Sequence, residues 1–389
     1  MLKFHSLRDK VFSLKNLYEA FLHVKANKGR AGLDRVSIAQ FEADLDVNIG
    51  NIHNKLKTEI YKPSPVLRVY IPKGRNQKRP LGIPTVSDRV VQQATRQIIE
   101  PIFESGFSDN SFGFRPGRNC HQAIMRVEQY KSEGYHYVLD ADVKAFYDTI
   151  PHSLMMDRLR EKIADGWVLN SIQSMLKERV LCRMASSSQT KEGTPQGGVL
   201  SPLLANLVGD LIDKALKEAG YKFARYADDF IVMTKTAEEL PTALSFVRGV
   251  VEGKLKMKLS EDKTSLTNFK RGFRFLGYSF MGKYKGISHK SLDKLKDNLR
   301  QITRRNQGRN LQMVIQRLNP VIRGHVNYFR LGDVRIAYRS LDQWLRMRLR
   351  CLKEARKWRT DNKRFRIRRF YRMGLLSFED EFRLRRAKA

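Results

Sequence analysis

The stretch FARYADDFIVMTK, Phe223 to Lys235, sets two adjacent carboxylates, Asp228 and Asp229, between two runs that are otherwise apolar and β-prone. Its pattern predicts two strands with the acids at the tip of the hairpin that joins them. Neighbouring like charges repel, so paired acids displayed at a turn call for a cation to bridge or neutralise them. The chain around them has the opposite character. Its 74 Lys and Arg against 40 Asp and Glu give a formal net charge of +34 over 389 residues. That excess goes beyond what solubility needs and predicts a polyanionic partner, nucleic acid first.

With 41% hydrophobic residues the chain can bury substantial cores, and its length predicts at least two domains. There is no uninterrupted apolar run of the roughly 18 residues needed to cross a bilayer, which argues against a membrane partner. The opening MLKFHSLRDKVFSLKNL breaks its apolar residues with charges, unlike a signal peptide, so an intracellular, cytoplasmic location is expected. Cys120, Cys182 and Cys351 are isolated and read as reduced packing residues.

Outward from the hairpin, YHYVLDADVKAFYDTI reads as a strand in which Tyr137, Leu139, Ala141 and Val143 alternate with Val138, Asp140 and Asp142. Asp142 stands nearest the strand's end, where a ligand could reach it. Asp148, just ahead of a helix begun by Pro151, reads as a capping or dipole-complementing residue. VLRVYIPKGRNQKRPLGIPTVSD reads as strand, basic turn, strand and the start of a helix near Ser87 and Asp88, with Lys73, Arg75, Lys78 and Arg79 about the turn. That cluster is either a solvated hairpin or a phosphate contact. Thr194, Pro195, Gly197, Gly198, Ser201 and Pro202 form a turn-rich entry to a helix bearing Leu203, Leu207, Leu211 and Leu216.

Taken in order, RPLGIPTVSDRVVQQA from Arg79, SFGFRPGR from Ser111, DVKAFYDTI from Asp142, GTPQGGVLSPLLANL from Gly193, RYADDFIVM from Arg225, LSEDKT from Leu259 and FLGYSF from Phe275 resemble the reverse transcriptase and maturase family encoded by group II introns. The resemblance covers nearly the whole chain. It implies an α+β right-hand polymerase: an N-terminal extension and fingers over 1–130, a palm over 131–285, and a helical thumb or maturase X domain over 286–389. It also implies RNA-directed DNA synthesis on an RNA template, from a DNA primer or target and deoxynucleoside triphosphates, together with binding of the intron RNA as a splicing maturase. Such chemistry holds two magnesium ions, with manganese as a substitute, roughly 3.5 to 4 Å apart. Carboxylates are their natural hard-oxygen ligands. Asp142 and Asp228 are the expected principal ligands and catalytic residues, with Asp229 auxiliary.

Other roles carry over position by position. Phe146 resembles the aromatic residue under the incoming sugar, with Tyr147 as the fallback. Gln196 and Gly197 would line the nucleotide pocket, and Lys73 and Arg79 would meet the triphosphate, Arg79 with a planar fork. Arg115 would contact template or make a structural salt bridge, and Lys263 resembles a palm lysine near the leaving group, with a plain surface lysine as the competing reading.

Beyond about residue 285, apolar residues recur at helical spacing: Leu292, Leu295, Leu299 and Ile302, then Leu311, Val314, Ile315 and Leu318, then Leu341, Trp344, Leu345 and Leu349. Arginines mixed with Trp344, Trp358, Phe365, Phe370 and Tyr371 suit a surface that neutralises phosphates and stacks on bases, unless those rings are simply buried. No paired cysteines or His cluster follow, so a member lacking the family's endonuclease is expected, with His289 and His325 as ordinary structural residues. Two other readings stay open: a maturase that only binds RNA, and a domesticated reverse transcriptase serving DNA repair or phage defence.

Overall fold

The computed structural model describes residues 3–72, 78–182, 185–189, 192–194, 197–306, 308–353 and 361–386. Lys73, Gln196 and Trp358 lie outside the described residues. The chain divides into two compact units, Met1–Leu266 and Thr267–Ala389. The division falls earlier than the change of texture near residue 285, because the short strands around FLGYSF group with the helices that follow them.

In the first unit one sheet has the order β2-β1-β4-β5, from β1 (Val66–Pro72), β2 (Lys78–Ile83), β4 (Arg179–Cys182) and β5 (Ala185–Gln189). β1 and β2 form the anticipated antiparallel hairpin, Leu67 opposite Ile83, and β4 runs parallel to β1. Next comes the helix Val86–Glu104, capped by Thr85, whose side chain accepts from the Asp88 backbone N–H. N-terminal helices pack onto it, and Asn16 donates to the Ala94 carbonyl at 3.1 Å.

The central sheet runs β6-β7-β3-β8, from β3 (Tyr137–Asp142), β6 (Lys222–Tyr226), β7 (Asp229–Thr234) and β8 (Ser265–Asn268). The alternation read for β3 does not separate a wet face from a dry one. Val138 and Leu139 are both wholly buried, and Phe230 to Met233 are buried in succession on β7. Helices explain this: Ser201–Glu218 and Cys120–Ser132 pack on β6, and Glu239–Arg248 packs on β3 and β7. A sheet covered on both faces selects continuous apolar runs.

One side chain ties this core to the hairpin. Arg225 is 1% exposed, and each of its five N–H groups has an acceptor. Nε and Nη2 bond the Asp213 carboxylate at 2.8 and 2.6 Å, Nη1 the Asn206 side-chain oxygen and the Ala227 carbonyl at 3.1 and 3.0 Å, and Nη2 also the Ser111 hydroxyl at 2.8 Å. Gly209 makes the room. A Cβ there would fall 2.6 Å from Nη1.

The second unit opens with a three-stranded meander, β9 (Phe273–Phe275), β10 (Tyr278–Met281) and β11 (Tyr284–Ile287). Helices follow at His289–Ile302, Leu311–Tyr328 and Arg335–Lys353, burying Leu295, Leu299, Val314, Leu318, Leu345 and Leu349 as their spacing predicts. Asp342 is buried and accepts from the Ser377 hydroxyl and the Phe378 and Glu379 backbone N–H groups, fixing the start of the helix Phe378–Arg386. Phe365 and Phe370 are core residues 4.5 Å apart, so they are not available for stacking on bases. Trp344 is half-buried between the Arg300 and Arg348 guanidinium groups, while Tyr371 stays exposed.

Replacing Arg225 with Met strands the Asp213 carboxylate in the core and is expected to cost about 3–5 kcal/mol in denaturant unfolding. In the second unit, burial among Phe329, Tyr338 and Phe378 pushes the His325 imidazole down to about 4. A group lowered on folding supplies its stability in full above its unfolded pKa near 6.5, and loses it as pH falls toward 4. By pH 5 the loss is expected to reach about 2 kcal/mol. Hydrogen exchange of amides in Leu311–Tyr328 reads it, and His325→Phe should flatten the response between pH 6.5 and 5.

Candidate active site

The hairpin turn contains two residues. Tyr226 pairs with Asp229 across β6 and β7, leaving Ala227 and Asp228 as the loop. Ala227 has φ 61°, left-handed backbone in which a side-chain-bearing residue is uncommon. It is held there from two directions. Its carbonyl accepts from Arg225, and Gly113 lies so close that an added Cβ would sit 2.5 Å from the Ala227 nitrogen. Strain of this kind persists only where its surroundings over-determine it.

β7 pairs with β3 in a register that sets Asp142 directly opposite Asp229. Asp228, next in the turn, is close enough to Asp142 to feel its charge. Burial, then the Asp142 carboxylate, raise the Asp228 pKa against the pull of Arg79 and Lys263. Lys263 donates from Nζ to Asp142 Oδ2 at 2.6 Å. The structure thus gathers Asp142, Asp228, Asp229, Arg79 and Lys263 at one end of the central sheet. Among the described residues no three His, Cys, Asp or Glu side chains form a ready-made metal cluster. The donor set nonetheless fits a hard divalent cation: two carboxylates in repulsion, one already bonded to an ammonium group, are the hard-oxygen ligands such an ion takes.

Phe146 and Tyr147 part company. Phe146 is 2% exposed and belongs to the core, whereas Tyr147 is half-buried beside it at 5.8 Å between ring centres. The Tyr147 hydroxyl is buried without a hydrogen-bond partner, and its pKa is raised, by burial first and then by the Asp228 charge. Both residues sit on the short helix Phe146–Thr149, whose first turn carries Asp148.

Gly197 has φ 119°, and a Cβ there would lie 2.3 Å from the Gly82 carbonyl oxygen, so that loop crosses β2 with no room for a side chain. Gln92 fixes the same loop by accepting from the Val199 N–H at 2.8 Å. Arg115 is a structural residue. Only 7% exposed, it grips Glu104 at 2.8 Å and donates to the carbonyls of Ser108 and Ser111, which leaves it no capacity for a template contact.

Arg225 was not singled out from the sequence. A signal was available: Asn206, Gly209 and Asp213 fall on one face of a leucine-rich helix, at the spacing that should bury them, and a buried Asp needs a cationic partner.

Two family models match the chain. The family described as reverse transcriptase (RNA-dependent DNA polymerase) matches residues 71–280, and the group II intron maturase-specific domain matches residues 292–371. Protein YkfC of Escherichia coli K12 is 34% identical over 294 residues, covering 65% of this chain and 76% of YkfC. The group II intron-encoded protein LtrA of Lactococcus lactis is 30% identical over 339 residues, 70% of this chain, and the chain spans only 56% of LtrA. A telomerase structure from Candida albicans aligns at a TM-score of 0.47 and 13% identity, over 76% of this chain and 59% of that one. The family models span the acid-bearing hairpin, its partner strand and the helices up to residue 371, and the chain belongs to the reverse transcriptase family in its group II intron, maturase-bearing branch.

Proposed function

We propose that this protein copies RNA into DNA, extending a DNA primer with deoxynucleoside triphosphates, and that its helical unit binds intron RNA during splicing. The observation that carries the first part is the meeting of Asp142, Asp228, Asp229, Lys263 and Arg79 at one sheet end. Asp142 and Asp228 would hold the two divalent ions, with Asp229 beside them. When bound, magnesium supplies activation of the primer 3′-hydroxyl and neutralisation of the triphosphate.

The chain's own residues do the rest. Arg79 faces the triphosphate charge with a planar fork of donors. Lys263, released from Asp142, carries a proton to the departing pyrophosphate. Tyr147, not Phe146, closes the floor beneath the incoming sugar, since Phe146 is committed to the core. Gly197 lets backbone line the nucleotide pocket. Lys73 and Gln196 keep the roles that the family resemblance implies.

RNA binding without synthesis is the second reading. Its support is a groove in the helical unit lined by Arg346, Arg350, Arg366 and Arg368, with no acidic side chain among the described residues on its walls. Not every arginine nearby contributes, since Arg335, Arg339 and Arg383 converge on Glu379.

Primer extension on an RNA template with magnesium separates the two. Asp228→Asn is expected to lower extension by about a thousand-fold, the scale of several kcal/mol of lost charge stabilisation, while splicing of the intron RNA is retained. Wild-type protein that supports splicing but extends nothing would establish the binding-only reading. For sugar selection, Tyr147→Val is expected to raise ribonucleotide incorporation about tenfold or more. Phe146→Ala should instead cost about 3–5 kcal/mol of stability, and selective misincorporation by that variant would return the role to Phe146.

A further inference from the structure

Phe114 combines three features that rarely occur together. The residue is 49% exposed, its backbone is left-handed at φ 57°, and it stands beside the acid-bearing turn, 6.3 Å from the Tyr226 ring. A bulky residue in that region of backbone space is a genuine outlier, and solvation of a phenyl ring repays none of the strain. Something else must require the ring to be there.

The residues on either side are anchored with unusual thoroughness. Residues 110–112 run along β6: the Arg225 N–H donates to the Asn110 carbonyl at 2.8 Å, and the Phe112 N–H to the Arg225 carbonyl at 2.9 Å. Gly113 abuts Ala227, and its carbonyl accepts from the Asn206 side chain at 2.8 Å. On the far side, Arg115 is buried against Glu104, Ser108 and Ser111. Phe114 alone turns outward between these fixtures, and its own carbonyl meets Arg96 at 3.5 Å. The result is an aromatic surface on a rigid pedestal, adjoining the turn that presents Asp228.

We propose that Phe114 is a stacking contact for the 3′-terminal nucleotide of the primer. The inference rests on the polymerase reading, because that reading puts the primer end at Asp228. An aromatic face offers any of the four bases or a sugar a sequence-tolerant contact. The partner is therefore a nucleotide chosen by position and not by identity. Pre-paid rigidity lowers the ordering cost at each rebinding. Tyr226 lies beside it with the ring planes tilted by 46°, at a distance typical of aromatic pairs.

The test uses the full-length protein without nucleotide triphosphates and a DNA primer ending in 2-aminopurine, annealed to an RNA template. Binding by wild type should change the 2-aminopurine emission as the base meets the ring. Phe114→Gly relieves the backbone and removes the ring, and it is expected to abolish that change and weaken primer–template binding about tenfold. Phe114→Leu, which keeps bulk without a π face, should behave alike, whereas Phe114→Tyr should restore both readouts. Wild-type emission and affinity in Phe114→Gly would overturn the proposal, as would equal loss in Phe114→Tyr, which would indicate a packing role. A response seen only when the probe sits in the template strand would also overturn it. Neither readout needs turnover, so a protein that binds and stacks the primer but cannot extend it defeats the polymerase reading and leaves this contact standing.

Discussion

The geometry of the site depends on a buried guanidinium. Arg225 sits one residue before the Tyr226–Asp229 closing pair, and its five donors are distributed over Ser111, Asn206, Asp213 and Ala227. A charge taken out of water is costly unless it is paired and fully hydrogen-bonded, and this one is both. The planar fork of arginine permits that distribution, and three ammonium protons on a lysine would not. What the arrangement secures is direction: the Ala227 carbonyl is pinned, so the turn cannot relax out of its strained backbone, and Asp228 is presented at a fixed point opposite β3.

The acids at that point are held in opposition. Burial and Asp142 both raise the Asp228 pKa, and Lys263 offsets part of the repulsion by bonding Asp142. An isolated pair of this kind would be a defect in a folded protein. Under the proposed function that repulsion is stored affinity, available to whichever cation arrives with the better charge.

The parts of this architecture that sequence reveals are those with short-range causes. The acid-tipped hairpin, the β1–β2 pair, the Pro151 helix start and the three long helices of the second unit follow from periodicity, turn residues and capping. Two kinds of information were out of reach. The choice between Phe146 and Tyr147 turns on which side of a one-turn helix meets the core, and adjacent aromatics give no period from which to tell. Arg115 and Arg225 look alike in a string of 74 cationic residues, yet both are buried fixtures: the acceptors of Arg115 lie in a preceding stretch with no periodic pattern, and the helix spacing that buries Asp213 calls for a cation without naming which one. The same excess of charge hid Phe365 and Phe370, whose setting among arginines suggests a base-stacking surface and which instead pack together in the core.

The Arg225 knot also orders events during synthesis of the protein. Its bond to the Ser111 hydroxyl spans 114 positions, and its bonds to Asp213 and Asn206 wait for the intervening helix to dock. Contacts this remote along the chain form late, after the loop-closure entropy of everything between them has been overcome. Ser111, Asn206 and Asp213 all precede Arg225, so a growing chain has made every side-chain acceptor of the knot before the guanidinium emerges, and the turn that follows closes onto segments already present.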